Sequence, residues 1–201
     1  MNNLSAINNQ PLNQVYLDAN ATTKVLPQAA QAALTSMETL FGNPSSSHIS
    51  GLKARHIMNK TRQQAIRVIG AGCGNIIFTS GATEGIQTAI LSALLSVKGT
   101  LNNNKKYTLL YGATEHKAVP ESLKHWNKIL EINAEIKAIP VNSLGVLDNE
   151  FIAKEVANAL MICTMAVNNE TGVFQDITLI DDIIRQHNPH IAWMVDCVQA
   201  L

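Results

Sequence analysis

Aromatic residues, cysteine and excess charge are all scarce in this sequence. Only 4% of the 201 residues are aromatic, and Ala, Ile, Leu and Val carry the hydrophobicity, as in a parallel sheet covered by helices. Lys plus Arg and Asp plus Glu number 15 each, so the formal charge is zero. That balance lacks the electrostatic footprint of a nucleic-acid-binding protein, and no apolar run approaches membrane-spanning length. We therefore expect a globular domain that binds neither nucleic acid nor membrane.

The cysteines and the N-terminal segment point to a cytoplasmic protein. Cys73, Cys163 and Cys197 form an odd set without metal-site spacing, which argues against both a disulfide scaffold and a metal centre. Residues 1–14 are polar, rich in asparagine and without the apolar region of a signal peptide. We interpret residues 1–14 as a flexible leader and residues 15–201 as one domain.

Strand-like and helical runs alternate along most of the chain. Such alternation predicts an α/β fold in three layers, with helices on both faces of a mostly parallel sheet. The predicted strands are Ile76–Phe78, Tyr107–Tyr111, Ile136–Val141, Leu160–Ala166 and Ile191–Val195. The first predicted helix begins at Pro27. The other predicted helices span Gly51–Ile69, Thr83–Val97, Lys117–Leu130, Asn149–Ala159 and Ile177–Gln186.

A turn of small residues joins the first predicted strand to a helix. It reads Thr79-Ser80-Gly81-Ala82-Thr83-Glu84-Gly85. The free backbone N–H groups and the positive end of the helix dipole favour an anion at such a turn. Gly81 and Ala82 allow close approach of a ligand, and Thr83 adds a hydroxyl donor. The turn predicts a phosphate site, although small residues also begin ordinary helices.

Polar side chains follow three further strands. They lie within 114–118, 167–172 and 196–199. Ligands of open α/β sheets bind outside the carboxyl ends of the strands, so these segments predict one site at that edge.

The same segments carry motifs of a known family. In order, Ser-Gly-Ala-Thr-Glu, Thr-Glu-His-Lys-Ala, Val-Asn-Asn-Glu-Thr-Gly and Asp-Cys-Val-Gln resemble the cofactor motifs of cysteine desulfurases. These are pyridoxal-phosphate enzymes of the class V aminotransferase group with the aspartate-aminotransferase fold. The segments 16–23 and 42–48 agree with the family's N-terminal signature. The resemblance covers Val15 to Leu201 and implies that the chain is part of a large domain.

The resemblance implies a role for each candidate residue. The cofactor would be held by Ala82 and Thr83 at the phosphate, His116 stacked on the ring, Asp196 at the pyridine nitrogen, and Asn169 and Gln199 at the phenolic oxygen. His116 would also move protons, because an imidazole titrates near neutral pH. Asn169 would reach the substrate carboxylate, and Asn20 and Asn43 would shape the substrate pocket or a dimer surface.

Several neighbouring residues have simpler interpretations. Asn168 is expected to be a structural turn residue, and Cys197 a small buried side chain rather than a nucleophile. Lys117 is not expected to bind the cofactor covalently, because the lysine that does so comes later in the family. A strand-end aspartate such as Asp196 can also simply cap the next segment.

The expected function is that of a cysteine desulfurase, which converts L-cysteine to L-alanine and passes sulfur to an acceptor protein through a persulfide. The family's Ser-x-His-Lys motif and nucleophilic cysteine are expected beyond Leu201, so this chain alone is expected to be inactive. The full-length form is expected to be a homodimer, and iron–sulfur cluster assembly is one of several open acceptor pathways. The alternatives are another class V activity (selenocysteine lyase or aminotransferase) and a non-catalytic cofactor-binding scaffold.

Overall fold

A computed structural model describes residues 15–102 and 104–200. The chain divides into two compact units, one that ends at Ile57 and one that begins at Met58. The leader predicted for residues 1–14 lies outside the described residues. No described helix is long and apolar enough to cross a membrane.

The first unit is built around two helices and the loop between them. Helix α1 spans Pro27–Thr39 and begins at Pro27 as predicted, and helix α2 begins at Ile49 and extends to Ile69, past the boundary of the unit. No residue of α1 is buried, and Met37 exposes 68% of its surface. The apolar side chains of α1, such as Leu34 and Met37, are therefore exposed in this structure.

The second unit contains the sheet. Its helices are α3 Ala82–Lys98, α4 Ala118–Ile129, α5 Asn149–Glu155 with a 3₁₀ turn over Val156–Asn158, and α6 Ile177–His187. Its strands are β1 Thr108–Gly112, β2 Glu135–Ile139, β3 Ala159–Met165 and β4 Ala192–Asp196. The strand order is β2-β1-β3-β4, and all three pairings are parallel. The connections therefore change direction between β1 and β3, which is where ligands bind in folds of this kind.

Two apolar clusters cover the two faces of the sheet. Leu109 packs with residues of α3 and α4, whereas the next residue, Leu110, packs with residues of α5 and α6. Successive side chains of a strand point to opposite faces, so β1 contributes to both clusters. This arrangement of helix, sheet and helix layers confirms the predicted α/β class.

Aspartate caps help to determine where helices α5 and α6 begin. The Asp148 carboxylate accepts hydrogen bonds from the N–H groups of Glu150 and Phe151, each at 3.0 Å. The Asp176 carboxylate accepts from the N–H of Leu179 at 3.0 Å. Caps of this kind stabilise a helix by about 1 kcal/mol, so they help to set the loops that precede α5 and α6.

The predicted strand Ile76–Phe78 is absent from the described sheet, and this prediction is wrong. Residues 75–79 have no regular secondary structure, and Ile77 and Phe78 are 74% and 51% exposed. An extended segment becomes a strand only when its backbone pairs with a neighbour. No described strand pairs with this segment, so its apolar residues remain at the surface.

Candidate functional site

A cleft of about 600 Å³ lies at the point where the strand connections change direction. It is lined by Thr114, Glu115, His116, Lys117, Asn168, Asn169, Glu170 and Thr171. The first four residues follow β1 and the last four follow β3. The parallel pairing of β1 with β3 brings together His116 and Asn169, two candidates that are 53 positions apart in the sequence.

Asn168 holds the loop after β3 in shape. Its buried side-chain oxygen accepts hydrogen bonds from the N–H groups of Glu170 and Thr171 at 3.0 and 2.8 Å, and from the Thr171 hydroxyl at 3.0 Å. Gly172 follows with φ +71, a conformation that favours glycine. Asn168 is therefore the structural turn residue that the sequence predicts.

Asn168 also ties the two loops of the cleft together. Its amide nitrogen donates to the carbonyl oxygen of Thr114 at 3.0 Å and lies 3.2 Å from the sulfur of Met165. The side chain is 7% exposed. A buried amide that uses both its oxygen and its nitrogen is costly to disrupt, so it restricts how the His116 loop lies against the Asn169 loop.

The His116 ring is exposed in the cleft, and its loop fixes one of its nitrogens. Nδ1 accepts a hydrogen bond from the N–H of Ala118 at 3.2 Å. In the neutral ring the proton is therefore assigned to Nε2. The ring can donate or receive a proton at that atom.

Glu115 is the most perturbed acid at this edge of the sheet. Its Oε1 accepts a hydrogen bond from the N–H of Met165, the last residue of β3, and its buried Oε2 has no hydrogen-bond partner among the described residues. Burial raises the pKa of Glu115 to about 8; the Met165 N–H opposes this rise, and the charge of Asp196 adds to it. The side chain is therefore mainly a neutral acid at pH 7.

Asp196 ends β4 and lies next to β3. Its carbonyl oxygen accepts from the N–H of Ala166 at 2.8 Å, and its carboxylate accepts from the N–H of Val198 at 3.0 Å. Met165 pairs with Asp196 and donates its N–H to Glu115, so Glu115 and Asp196 lie at the same edge of the sheet. Gln199 lies in the turn that follows, which is closed by a 2.9 Å bond from the N–H of Ala200 to the oxygen of Cys197.

Ala82 and Thr83 form the first turn of α3. The N-cap residue is Gly81, and no side chain caps this first turn in the part of the chain that the structure describes. Glu84 instead accepts from the N–H and hydroxyl of Ser80 at 2.7 and 2.6 Å, which lowers its pKa. Thr83 lines a second cleft of about 390 Å³ with residues of α3 and Trp126 of α4. The convergence of Thr83 with His116 and Asp196 on one pocket stays a prediction.

Asn20 and Asn43 belong to the first unit. Asn20 lies in an exposed turn closed by a 3.1 Å bond from the N–H of Ala21 to the oxygen of Asp18. Asn43 shapes its own loop, because its side-chain oxygen accepts from the N–H of Ser45 at 2.9 Å. Their role in a substrate pocket or dimer surface stays a prediction.

The described cysteines differ in exposure. Cys73 is exposed, whereas Cys163 is buried in β3 and Cys197 is half-buried. Burial raises the pKa of both the Cys163 and the Cys197 thiols, with smaller contributions from Glu115 and Asp196 respectively. Within residues 15–102 and 104–200, no three His, Cys, Asp or Glu side chains are grouped as metal ligands.

Comparison with known proteins identifies the family. The family model described as "Aminotransferase class-V" matches residues 15–201, so the chain belongs to this family of pyridoxal-phosphate-dependent enzymes. The cysteine desulfurase IscS of Rickettsia prowazekii (strain Madrid E) is 35% identical over 178 residues, which are 87% of this chain and 41% of the relative. The IscS of Rickettsia felis is 35% identical over 182 residues, 89% of this chain and 42% of the relative.

Solved structures agree with this assignment. A NifS-like protein superposes with a TM-score of 0.81 at 31% identity, over 90% of this chain and 48% of its own. DndA from Streptomyces lividans superposes with a TM-score of 0.71 at 29% identity, over 92% of this chain and 50% of its own. The resemblance to cysteine desulfurases is confirmed, and the chain spans about two fifths of the length of the curated relatives.

Sequence reasoning missed the burial of Glu115 and the glycine that makes room for it, Gly112, at which a Cβ atom would lie 2.9 Å from Oε1 of Glu115. Glu115 was part of the Thr-Glu-His-Lys-Ala motif, but the motif alone provided no reason to assign it a role of its own. The available signal was a glycine at the end of a buried strand, followed three positions later by a long acid. Such a pair allows the acid to fold back over the strand end, where the glycine has no side chain to block it.

Proposed function

We propose that the protein acts as a pyridoxal-phosphate-dependent cysteine desulfurase, with this chain supplying much of the cofactor site. The observation that carries the proposal is the cleft at the β1–β3 switch point, which unites His116 and Asn169; β4, which ends at Asp196, pairs with β3. The 35% identity to two cysteine desulfurases supports the choice of reaction within the family.

The residues present fit this cofactor. A stacking imidazole is available at His116, and a half-buried carboxylate that can pair with a protonated pyridine nitrogen is available at Asp196. The N-cap residue of α3 is Gly81, which has no side chain to cap the N–H groups of Ala82 and Thr83, so these groups suit a phosphate. Asn169 and Gln199 supply polar groups for the phenolic oxygen.

In the proposed reaction, pyridoxal phosphate supplies an electron sink when it is bound. His116 holds or moves a proton at Nε2, since its Nδ1 is occupied by the N–H of Ala118. Asp196 keeps its carboxylate oriented through the N–H of Val198. Asn169 orients the carboxylate of the substrate, L-cysteine.

The same proposal assigns the partners. The sulfur leaves through a persulfide on a cysteine. Cys163 and Cys197 are poor candidates, because burial raises the pKa of both thiols and the thiolate is the reactive form. A sulfur-acceptor protein then receives the sulfur, and the working form is a homodimer.

A spectroscopic titration tests the cofactor site. The chain is titrated with pyridoxal phosphate, and the absorbance change is compared with that of Asp196→Asn and of the control Asp182→Asn, which changes an exposed carboxylate in α6. We expect Asp196→Asn to weaken binding at least tenfold, about 1.4 kcal/mol, and Asp182→Asn to leave it unchanged. Equal affinity of all three proteins would contradict the assignment of Asp196.

A product assay tests the reaction. The protein expressed from its own gene is incubated with L-cysteine, and alanine and sulfide are measured. We expect equal amounts of both products under reducing conditions, and no turnover by the 201-residue chain alone. Borohydride reduction followed by peptide mapping checks Lys117, which lines the cleft. Specific labelling of Lys117 would mean that the covalent lysine lies within this chain after all.

A further inference from the structure

Glu115 stands at the meeting point of three strand ends. It follows β1, its Oε1 accepts from the N–H of Met165 at the end of β3, and Met165 is paired in register with Asp196 at the end of β4. Together with the bond from Asn168 to Thr114, this gives two links between the loops that carry His116 and Asn169. Of these two hydrogen bonds, the one between Met165 and Glu115 also lies beside Asp196.

The chain leaves room for this carboxyl at Gly112. A Cβ atom at Gly112 would lie 2.9 Å from Oε1 of Glu115 and 3.2 Å from a methyl carbon of Leu147. These distances are shorter than ordinary van der Waals contact, and Gly112 itself is buried. The glycine therefore permits the position in which Glu115 reaches Met165.

We propose that Glu115 is a positioning residue of the cofactor site: by joining the end of β1 to the end of β3 beside Asp196, it sets how the His116 loop lies against the Asn169 loop. The proposal rests on the proposed function, because those loops matter through the cofactor that they hold. Glu115 itself is given no contact with cofactor or substrate.

The positioning depends on a neutral carboxyl. The titratable groups that influence Glu115 or lie next to it are Asp196 from β4, Cys163 from β3 and His116 from its own loop. A buried carboxylate next to Asp196 would be an uncompensated charge, which is costly away from water. The Met165 N–H partly stabilises the ionised form, but burial and the charge of Asp196 outweigh it, so ionisation favours movement of the side chain toward solvent and away from the Met165 N–H. We expect the loop arrangement to loosen as the pH rises through about 8.

Two variants separate the effect of the hydrogen bond between Met165 and Glu115 from the effect of the charge on Glu115. Glu115→Gln keeps an acceptor for the Met165 N–H and stays neutral at every pH, whereas Glu115→Ala removes the link. Glu150→Gln is the matched control, since it changes an exposed acid in α5. Circular dichroism verifies that each variant is folded.

The first measurement needs no cofactor. NMR signals of the His116 ring and the Asn169 side-chain amide are recorded for the chain at pH 7. We expect Glu115→Ala to shift both signals, and Glu115→Gln and Glu150→Gln to leave them close to wild type. Between pH 7 and 9 the Asn169 signal should move in the wild type and stay constant in Glu115→Gln.

The second measurement is the affinity for pyridoxal phosphate. We expect Glu115→Ala to weaken binding at least tenfold at pH 7 and Glu115→Gln to remain within threefold. The ratio of the wild-type Kd to the Glu115→Gln Kd should rise between pH 7 and 9. The cofactor and the other side chains titrate in the same way in both proteins, so their effects on the Kd cancel in the ratio.

The outcomes distinguish this inference from the proposed function. If the wild type does not bind pyridoxal phosphate, the proposed function fails, and the NMR comparison still decides the role of Glu115. A Glu115→Ala variant that loses thermal stability but keeps both NMR signals and the affinity would overturn the positioning role. Identical behaviour of the Gln and Ala variants would also overturn it. If Glu115→Ala does not fold, the pH series of Glu115→Gln against wild type carries the test.

Discussion

The amide nitrogen of Asn168 donates a hydrogen bond to the carbonyl oxygen of Thr114 at 3.0 Å, across 54 positions of sequence. This bond joins the loop after β3 to the loop after β1, which are the two walls of the candidate cofactor cleft. The other side of the same amide builds the turn that presents Asn169. The buried Asn168 side chain thus both shapes the loop after β3 and holds that loop against the loop after β1.

Replacement of Asn168 tests this coupling. Asn168→Ala removes every side-chain bond of a buried amide and leaves several backbone groups unpaired, so we expect a loss of about 2–4 kcal/mol in the free energy of unfolding. Asn168→Asp keeps the oxygen acceptors for the turn, loses the donor to Thr114 and to the sulfur of Met165, and introduces a charge. Urea unfolding measures both, and a loss below about 0.5 kcal/mol for Asn168→Ala would contradict the assigned role.

Glu115 makes the stability of the fold depend on pH. Its folded pKa of about 8 lies above the ordinary value of 4.5. The folded state therefore binds the proton more tightly, and this stabilisation is complete below pH 4.5 and is lost as the pH rises through about 8. One pKa unit corresponds to about 1.4 kcal/mol, so the shift sets an upper limit of about 5 kcal/mol.

Urea unfolding at pH 5, 6.5, 8 and 9 measures this dependence. The free energy of unfolding of the wild type should fall relative to that of Glu115→Gln between pH 5 and 8 and then level off. Glu150→Gln should follow the wild type. Parallel curves for wild type and Glu115→Gln would mean that Glu115 has an ordinary pKa.

A methyl group at Gly112 should displace the Glu115 carboxyl. In Gly112→Ala the new Cβ would lie 2.9 Å from Glu115 Oε1 and 3.2 Å from Leu147. We expect a loss of about 1–3 kcal/mol, as for other overpacked sites. The amide hydrogen of Met165 should also exchange faster with solvent, because its acceptor moves away.

Gly99→Ala is the control for this substitution. Among the residues that the structure describes, no heavy atom lies within 4 Å of a Cβ at Gly99, and its φ of −71 suits any residue. We expect no loss of stability there, or a gain of up to about 1 kcal/mol. Equal losses at both glycines would indicate a general effect of the substitution and not crowding at Glu115.

The cysteines should differ in their reaction with a thiol reagent. Cys73 is exposed and should react first. Cys197 should react more slowly, because burial and the Asp196 charge raise its pKa, and buried Cys163 should react only on unfolding. Mass spectrometry after timed labelling measures the order, with Cys73→Ser removing the fast phase. Faster labelling of Cys197 than of Cys73 would reopen the possibility that Cys197 is a nucleophile.

Local sequence patterns were sufficient for most of the fold. The strands β1 to β4 were each predicted to within about two residues, because buried runs of β-branched and apolar side chains indicate a strand wherever a parallel sheet forms. The starts of α5 and α6 follow from Asp148 and Asp176, whose caps act over three residues. The Ile76–Phe78 prediction was wrong, because a strand needs a partner and no local pattern supplies one.

The family and the identities of the candidate residues were also present in the sequence, since ordered motifs depend on residue type and spacing alone. Only the tertiary structure decided which of them meet. Parallel pairing of β1 with β3 puts His116 opposite Asn169, and pairing of β3 with β4 puts Asp196 beside Glu115. The raised pKa of Glu115 and the need for Gly112 follow from burial and close approach between distant segments. These are properties of packing, which no short stretch of sequence determines.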